Sequence, residues 1–217
     1  MKLVELYKLI VKNGIAQDPR GKKVAECFKS ARKEYAKLSG YEKAAFDKEA
    51  FSNPYADTRI LYGRPDTEVK KILVGIDMEV GEVLLADRLG NKGKTIDLII
   101  SHHPEGRAMA GLYEVMDMQS SILHKYGVPI NIAEDIMSER IKEVEKKLLP
   151  INHTRAVDAA RLLNIPLMCI HTPADNAVTS YLQNIFDEKR PEKVSDILDI
   201  LKDIPEYRDA MNEKAGP

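Results

Sequence analysis

The chain has 217 residues, 44% of them hydrophobic and 31% charged, and its 33 basic and 34 acidic side chains leave a formal net charge of −1. That balance describes a folded globular protein long enough for one large or two small domains. It excludes an overall electrostatic pull toward nucleic acid or a membrane surface.

No apolar run approaches the roughly 18 residues of a membrane span. The opening Met1-Lys2-Leu3-Val4-Glu5-Leu6 carries an early acid and no small-residue cleavage site, so it reads as no signal peptide. Cys27 and Cys169 form neither a CxxC motif nor a disulfide framework, and a reducing cytoplasm is the expected compartment.

In chain order, residues 2–12 carry apolar positions at helical spacing, with Asn13-Gly14 as the expected stop. Residues 21–38 predict an exposed amphipathic helix and 41–51 a further helical turn. From Ser52 to Asp66 the text is turn chemistry, with Asn53-Pro54, Gly63 and Arg64-Pro65-Asp66. The run Val69–Asp77 predicts a strand, 79–90 a helix and 96–101 a buried strand, which together make a βαβ unit with parallel strands. Helices are expected over 111–126, 138–149 and 154–164. A third strand at 167–171 follows, then helices from Asp175 to Phe186, from Pro191 to Leu201 and beyond Pro205. Three strands with about nine helices are few for an α/β domain of this length. The expected organisation is a single domain over 1–217. It comprises a helical region (1–51), a βαβ core (52–129), a helical insertion (130–164) and a last strand with C-terminal helices (165–217).

The chemistry gathers at strand ends. Ile96–Ser101 delivers His102 and His103 and is stopped by Pro104. Adjacent residues on a strand point to opposite faces, so the two imidazoles converge only where the strand ends. Neutral imidazole is the commonest metal ligand. A pair of partly exposed histidines closing a strand is the competing reading. His171-Thr172-Pro173-Ala174-Asp175 repeats the logic after the third strand; Asp175 reads as a ligand or a helix cap. Asp77, at the end of the first strand, reads either way as well. A mixed imidazole and carboxylate set suits zinc, manganese, iron, cobalt or nickel better than calcium or magnesium. His124 reads as a surface or core residue and His153 as a residue ahead of a helix. Glu105, Glu134 and Asp135 are free acids without an assigned role. Cys169 reads as core, and no GxxxxGK[ST], GxGxxG or GxSxG motif is present.

Asp97-Leu98-Ile99-Ile100-Ser101-His102-His103-Pro104 closely resembles the DLIITHHP signature of the NIF-three-like family, also called dinuclear-metal-centre proteins and GTP cyclohydrolase I type 2 homologues. Tyr62–Asp77 is similar to that family's VGDPDxEVKKVLVALD, and His171–Asp175 to its HTNLD. The resemblance implies a three-layer α/β/α fold with a mostly parallel sheet, assembling into hexameric rings. It also implies two divalent metal ions, with His102, His103 and Asp175 as ligands and His171 close by. This sequence departs from the pattern in three ways. Pro173-Ala174 replaces Asn-Leu, the spacing from His103 to His171 is nearly doubled, and no histidine follows His171 to match the family's C-terminal histidine and glutamate ligands. The chain therefore reads as the N-terminal part of the family's domain. The expected function is metal-dependent hydrolysis of a small molecule such as a phosphoester, nucleotide or pterin-like ring. The alternative is a metal-stabilised assembly or regulatory module without catalysis.

Overall fold

In the computed structural model, which describes residues 1–213, four short strands form one sheet in the order β1-β4-β3-β2. The strands are β1 (Arg59–Tyr62), β2 (Ile72–Gly75), β3 (Leu98–Ser101) and β4 (Leu167–Cys169). Strands β2, β3 and β4 are parallel, paired Ile72 with Leu98 and Ile99 with Leu167, as the βαβ pattern predicts. Strand β1 joins β4 antiparallel, with an irregularity between Ile60 and Tyr62. It lies inside the stretch read as turns. Four residues bracketed by Asn53-Pro54 and Gly63, and beginning with an arginine, carry no apolar period. Only the exposed hydrogen-bonding edge of β4 makes them a strand.

The helices are α1 (Leu3–Ala16), α2 (Val24–Lys37), α3 (Gly40–Ala45), α4 (Val80–Asn91), α5 (Gly106–Ala110), α6 (Leu112–Val115), α7 (Asp117–Lys125), α8 (Ile130–Leu148), α9 (Arg155–Leu162), α10 (Thr172–Lys189), α11 (Val194–Lys202) and α12 (Pro205–Glu213). The one helix expected over 111–126 is α6 and α7, and short α5 precedes them. Central β3 is buried along its whole length, as a near-continuous apolar run requires. On one face Ile99 and Leu167 pack with Val83 and Ala86 of α4 and with Ala156, Val157 and Ala160 of α9. On the other, Leu98, Ile100 and Met168 meet Leu3, Leu6 and Ile10 of α1. Helices thus cover both sides of the sheet. Within the expected insertion, α9 is a sheet-covering helix, while α8 packs on α6 and α7.

The described residues divide into two compact units, one over 1–177 and one from Val178 onward. In the second, Asp196 accepts backbone hydrogen bonds from Glu192 (3.1 Å) and Lys193 (3.0 Å), which fixes the entry to α11. Pro191 lies ahead of that helix instead of in its first turn. Pro205 does open α12, where its missing N–H leaves no intrahelical bond unmade.

Helix α1 continues through the expected stop at Asn13-Gly14. Gly14 is buried, and a Cβ there would lie 2.7 Å from Cβ and 2.9 Å from Cα of Pro173. The glycine permits close packing instead of ending the helix. Gly14→Ala is therefore expected to destabilise the fold by about 1–3 kcal/mol through overpacking. Alanine's better helix propensity, worth up to about 1 kcal/mol, works in the opposite direction. Urea denaturation of the two proteins measures the difference.

Asp18, fully buried at its side chain, pairs with Arg20 at 2.8 Å and accepts from Tyr55 Oη at 2.8 Å. Burial works against its charge, but the Arg20 guanidinium and the hydrogen bonds outweigh it and hold the carboxyl below the usual range. A carboxyl held low contributes stability that is complete above about pH 4 and lost as pH falls through the folded-state value. Unfolding midpoints should stay flat down to about pH 5 and fall below about pH 4. Asp18→Asn should flatten that acid limb and cost about 3 kcal/mol at neutral pH by leaving Arg20 unpaired.

Candidate metal centre

The parallel register levels the strand ends. Gly75 faces Ser101, and Ser101 faces Cys169. The ladder runs on past β3, because His102 N–H donates to Gly75 O (2.9 Å) and His103 N–H to Ile76 O (2.8 Å). On the other side Ile170 N–H donates to Ser101 O (2.9 Å). The Ser101 hydroxyl, buried, donates to His103 O at 2.6 Å and pins the turn before Pro104. His102, His103 and His171 consequently leave the sheet at one edge. Their ring centroids are 5.3 Å apart for His102–His103, 4.9 Å for His102–His171 and 6.2 Å for His103–His171.

Each ring has its Nδ1 on an acceptor. His102 Nδ1 lies 3.2 Å from Ile170 O, His103 Nδ1 2.6 Å from Asp77 Oδ1, and His171 Nδ1 2.9 Å from Asp57 Oδ2. A carbonyl or carboxylate oxygen can only accept, so each Nδ1 carries the hydrogen and the neutral ring keeps its lone pair on Nε2. Burial works against the charged form of His171, but Asp57, with a smaller contribution from Asp175, outweighs it and raises the pKa of the ring.

The three sites of lone-pair density fall together for His102, His171 and Asp175, whose donor atoms all lie within 4.8 Å of one another. His102 Nε2 is 3.4 Å from Asp175 Oδ1, and His171 Nε2 is 3.8 Å from Asp175 Oδ2. Those separations are long for hydrogen bonds. They are close to the edge, roughly 3.4 Å, of a tetrahedron whose bonds to a central ion are about 2.1 Å. The residues present fit a divalent ion of the zinc-to-manganese kind, held by two imidazoles and one carboxylate.

His102 and Asp175 thus stand in one group. His171, expected beside the ligands, supplies a donor to that group. His103 pairs with Asp77 next to it, which gives Asp77 a contact that strand-end position alone did not distinguish from capping. His124, on α7, has its Nδ1 3.0 Å from Val128 O beyond the end of that helix, and His153 ahead of α9 stands outside the cluster. Glu134 and Asp135 are exposed on α8. Burial pushes Glu105 up to about 7, the charges of Glu79 and Asp77 add to this, and Arg155 opposes it. Cys169 is fully buried, and burial pushes its thiol up to about 12, so it remains a protonated core residue.

The segment before β1 also bears on the site. Asp57 is fully buried and Thr58 with it. Tyr55 Oη accepts from Asn176 Nδ2 (3.2 Å), the residue after Asp175 in α10, and Asn176 also donates to Gly14 O (3.1 Å). Consecutive polar residues in turn chemistry carry no mark of burial in the sequence, and nothing in their spacing points to partners more than 110 positions away.

No family model matches the chain, and no curated protein does. Among solved structures, the chain is similar to the crystal structure of a NIF3 superfamily protein from Sphaerobacter thermophilus. The two are 25% identical and superpose with a TM-score of 0.59 over 84% of this chain. The match spans 61% of that protein's length.

Proposed function

We propose that this chain, which is NIF3-like in its fold, is a divalent-metal-binding protein that carries out metal-dependent hydrolysis of a small molecule. The observation that carries the reading is the convergence of His102, His171 and Asp175 donors within 4.8 Å at the carboxyl edge of three parallel strands. That edge is where open α/β sheets present their ligand sites.

His102 and Asp175 hold the first ion with His171. His103, oriented by Asp77 and half exposed, is the ligand that a second ion shares with this edge. The family resemblance supports two ions and the ligand set His102, His103 and Asp175. When bound, such ions would polarise a phosphoryl or ring oxygen and lower the pKa of water. The chain's own part is to hold and orient. Backbone bonds from β2 and β4 set the two histidines after β3, and the exposed sides of Asp175 and His103 leave a substrate room to approach. A phosphoester, a nucleotide or a pterin-like ring has oxygens suited to that role. The resemblance further supports a homo-oligomer, with a hexameric ring as its form, and the two free cysteines support a reducing cytoplasm as its compartment. Among the described residues no helix is long and apolar enough to cross a membrane.

Metal analysis and zinc or manganese titration of the purified chain test the reading. Wild type should bind the ion, and His102→Ala should lose at least roughly tenfold in affinity, about 1.4 kcal/mol. Turnover of phosphoesters or nucleotides with added metal, lost in His103→Ala, would support hydrolysis. Metal bound without turnover would leave an assembly module, and near-zero stoichiometry with His102→Ala unchanged would overturn the metal centre.

A further inference from the structure

We infer that Asp57 is the positioning residue that makes His171 a metal ligand; this rests on the metal reading above. Asp57 is fully buried, and its ion-pair partner among the described residues is the His171 ring, with no lysine or arginine beside it. A buried carboxylate without such a partner persists only when its lone pairs are filled. Here four donors fill them. Thr58 Oγ1 donates to Oδ1 at 3.1 Å. Oδ2 accepts from His171 Nδ1 at 2.9 Å, from Thr172 Oγ1 at 2.5 Å and from Thr172 N–H at 3.3 Å.

Capping α10 accounts for the bonds to Thr172, but not for the ring. A cap needs one acceptor at the helix start. The Asp57 carboxylate reaches back one residue further and sets the hydrogen of His171 on Nδ1. Thr58 Oγ1, accepting from His171 N–H at 3.2 Å, holds the backbone of the same residue. The ring therefore has its backbone and its inner nitrogen fixed from one loop. Its remaining nitrogen, Nε2, is turned to the side where Asp175 Oδ2 lies 3.8 Å away. A carboxylate on the far nitrogen of a ligating imidazole fixes its tautomer, raises its basicity and strengthens metal binding.

The test is a zinc titration of the full chain as wild type, Asp57→Ala, Asp57→Asn and Val83→Ala. Asp57→Ala should lose about 10- to 100-fold in affinity. Asp57→Asn keeps an oxygen facing Thr172 N–H and His171 Nδ1–H, and should recover most of that loss. Val83→Ala leaves a gap in the sheet core under α4, away from these contacts, so it should lower thermal stability and leave affinity unchanged; a purely structural Asp57 would instead make affinity follow stability across the series. Long-range nitrogen–proton spectra of metal-free wild type, taken well above the ordinary imidazole range and assigned with His171→Gln, give a second readout independent of folding in the variants. They should show the His171 hydrogen on Nδ1. A hydrogen on Nε2, or an Asp57→Ala that folds and binds as tightly as wild type, overturns the role of Asp57. Wild type that binds no ion while showing the Nδ1 hydrogen overturns the metal reading itself.

Discussion

The register of β3 and β4 is the constraint on which the site depends. Because Ile99 faces Leu167 and Ser101 faces Cys169, the two strands end level, and the residues that follow them emerge side by side. A strand's side chains alternate faces, so a slip of one residue would send Ile99 and Leu167 to the face now occupied by Leu98 and Met168. Both sets are fully buried under different helices. Packing on both sides therefore fixes the register more firmly than hydrogen bonds alone, and the histidines inherit that precision.

A second layer of order comes from the loop before β1. Tyr55 reaches Asp18 and Asn176, Asn53 donates to Thr58 O, and Asp57 closes on the first turn of α10. These groups are buried and hydrogen-bonded to one another, the condition under which buried polar side chains are tolerated and rigid. Nearby, Arg59 is buried against Asp47 at 2.8 Å, and Arg107 pairs with Glu49. Polar contacts, more than apolar ones, decide where α10 starts and so where Asp175 stands. Gly14 serves the same end by letting α1 approach Pro173.

That division explains which surfaces are dry and which are open. The sheet centre is closed by α1, α4 and α9, whereas Ile72, Val74 and Ile76 on and just beyond edge strand β2 are exposed. At the carboxyl edge the histidines and Asp175 are graded, from His171 and His102, part-buried, to His103 and Asp175, half exposed. An edge of that kind holds its inner side chains in place and keeps its outer ones within reach of solvent.

The pattern of residues along the chain already reveals the βαβ unit, the buried central strand and the arrival of His102 and His103 at a strand end. Apolar periodicity and proline act within a few residues and are legible there. It also marked His171 and Asp175, because the same local pattern repeats after β4. Strand β1, the run of α1 through Gly14, and the joining of Asp57 to His171 come from long-range contacts. Each depends on a partner distant in the chain: an open edge on β4, a proline in α10, and an imidazole 114 positions away. Local propensity carries no information about such partners, and a buried carboxylate in a turn looks like any other aspartate until the fold shows what surrounds it.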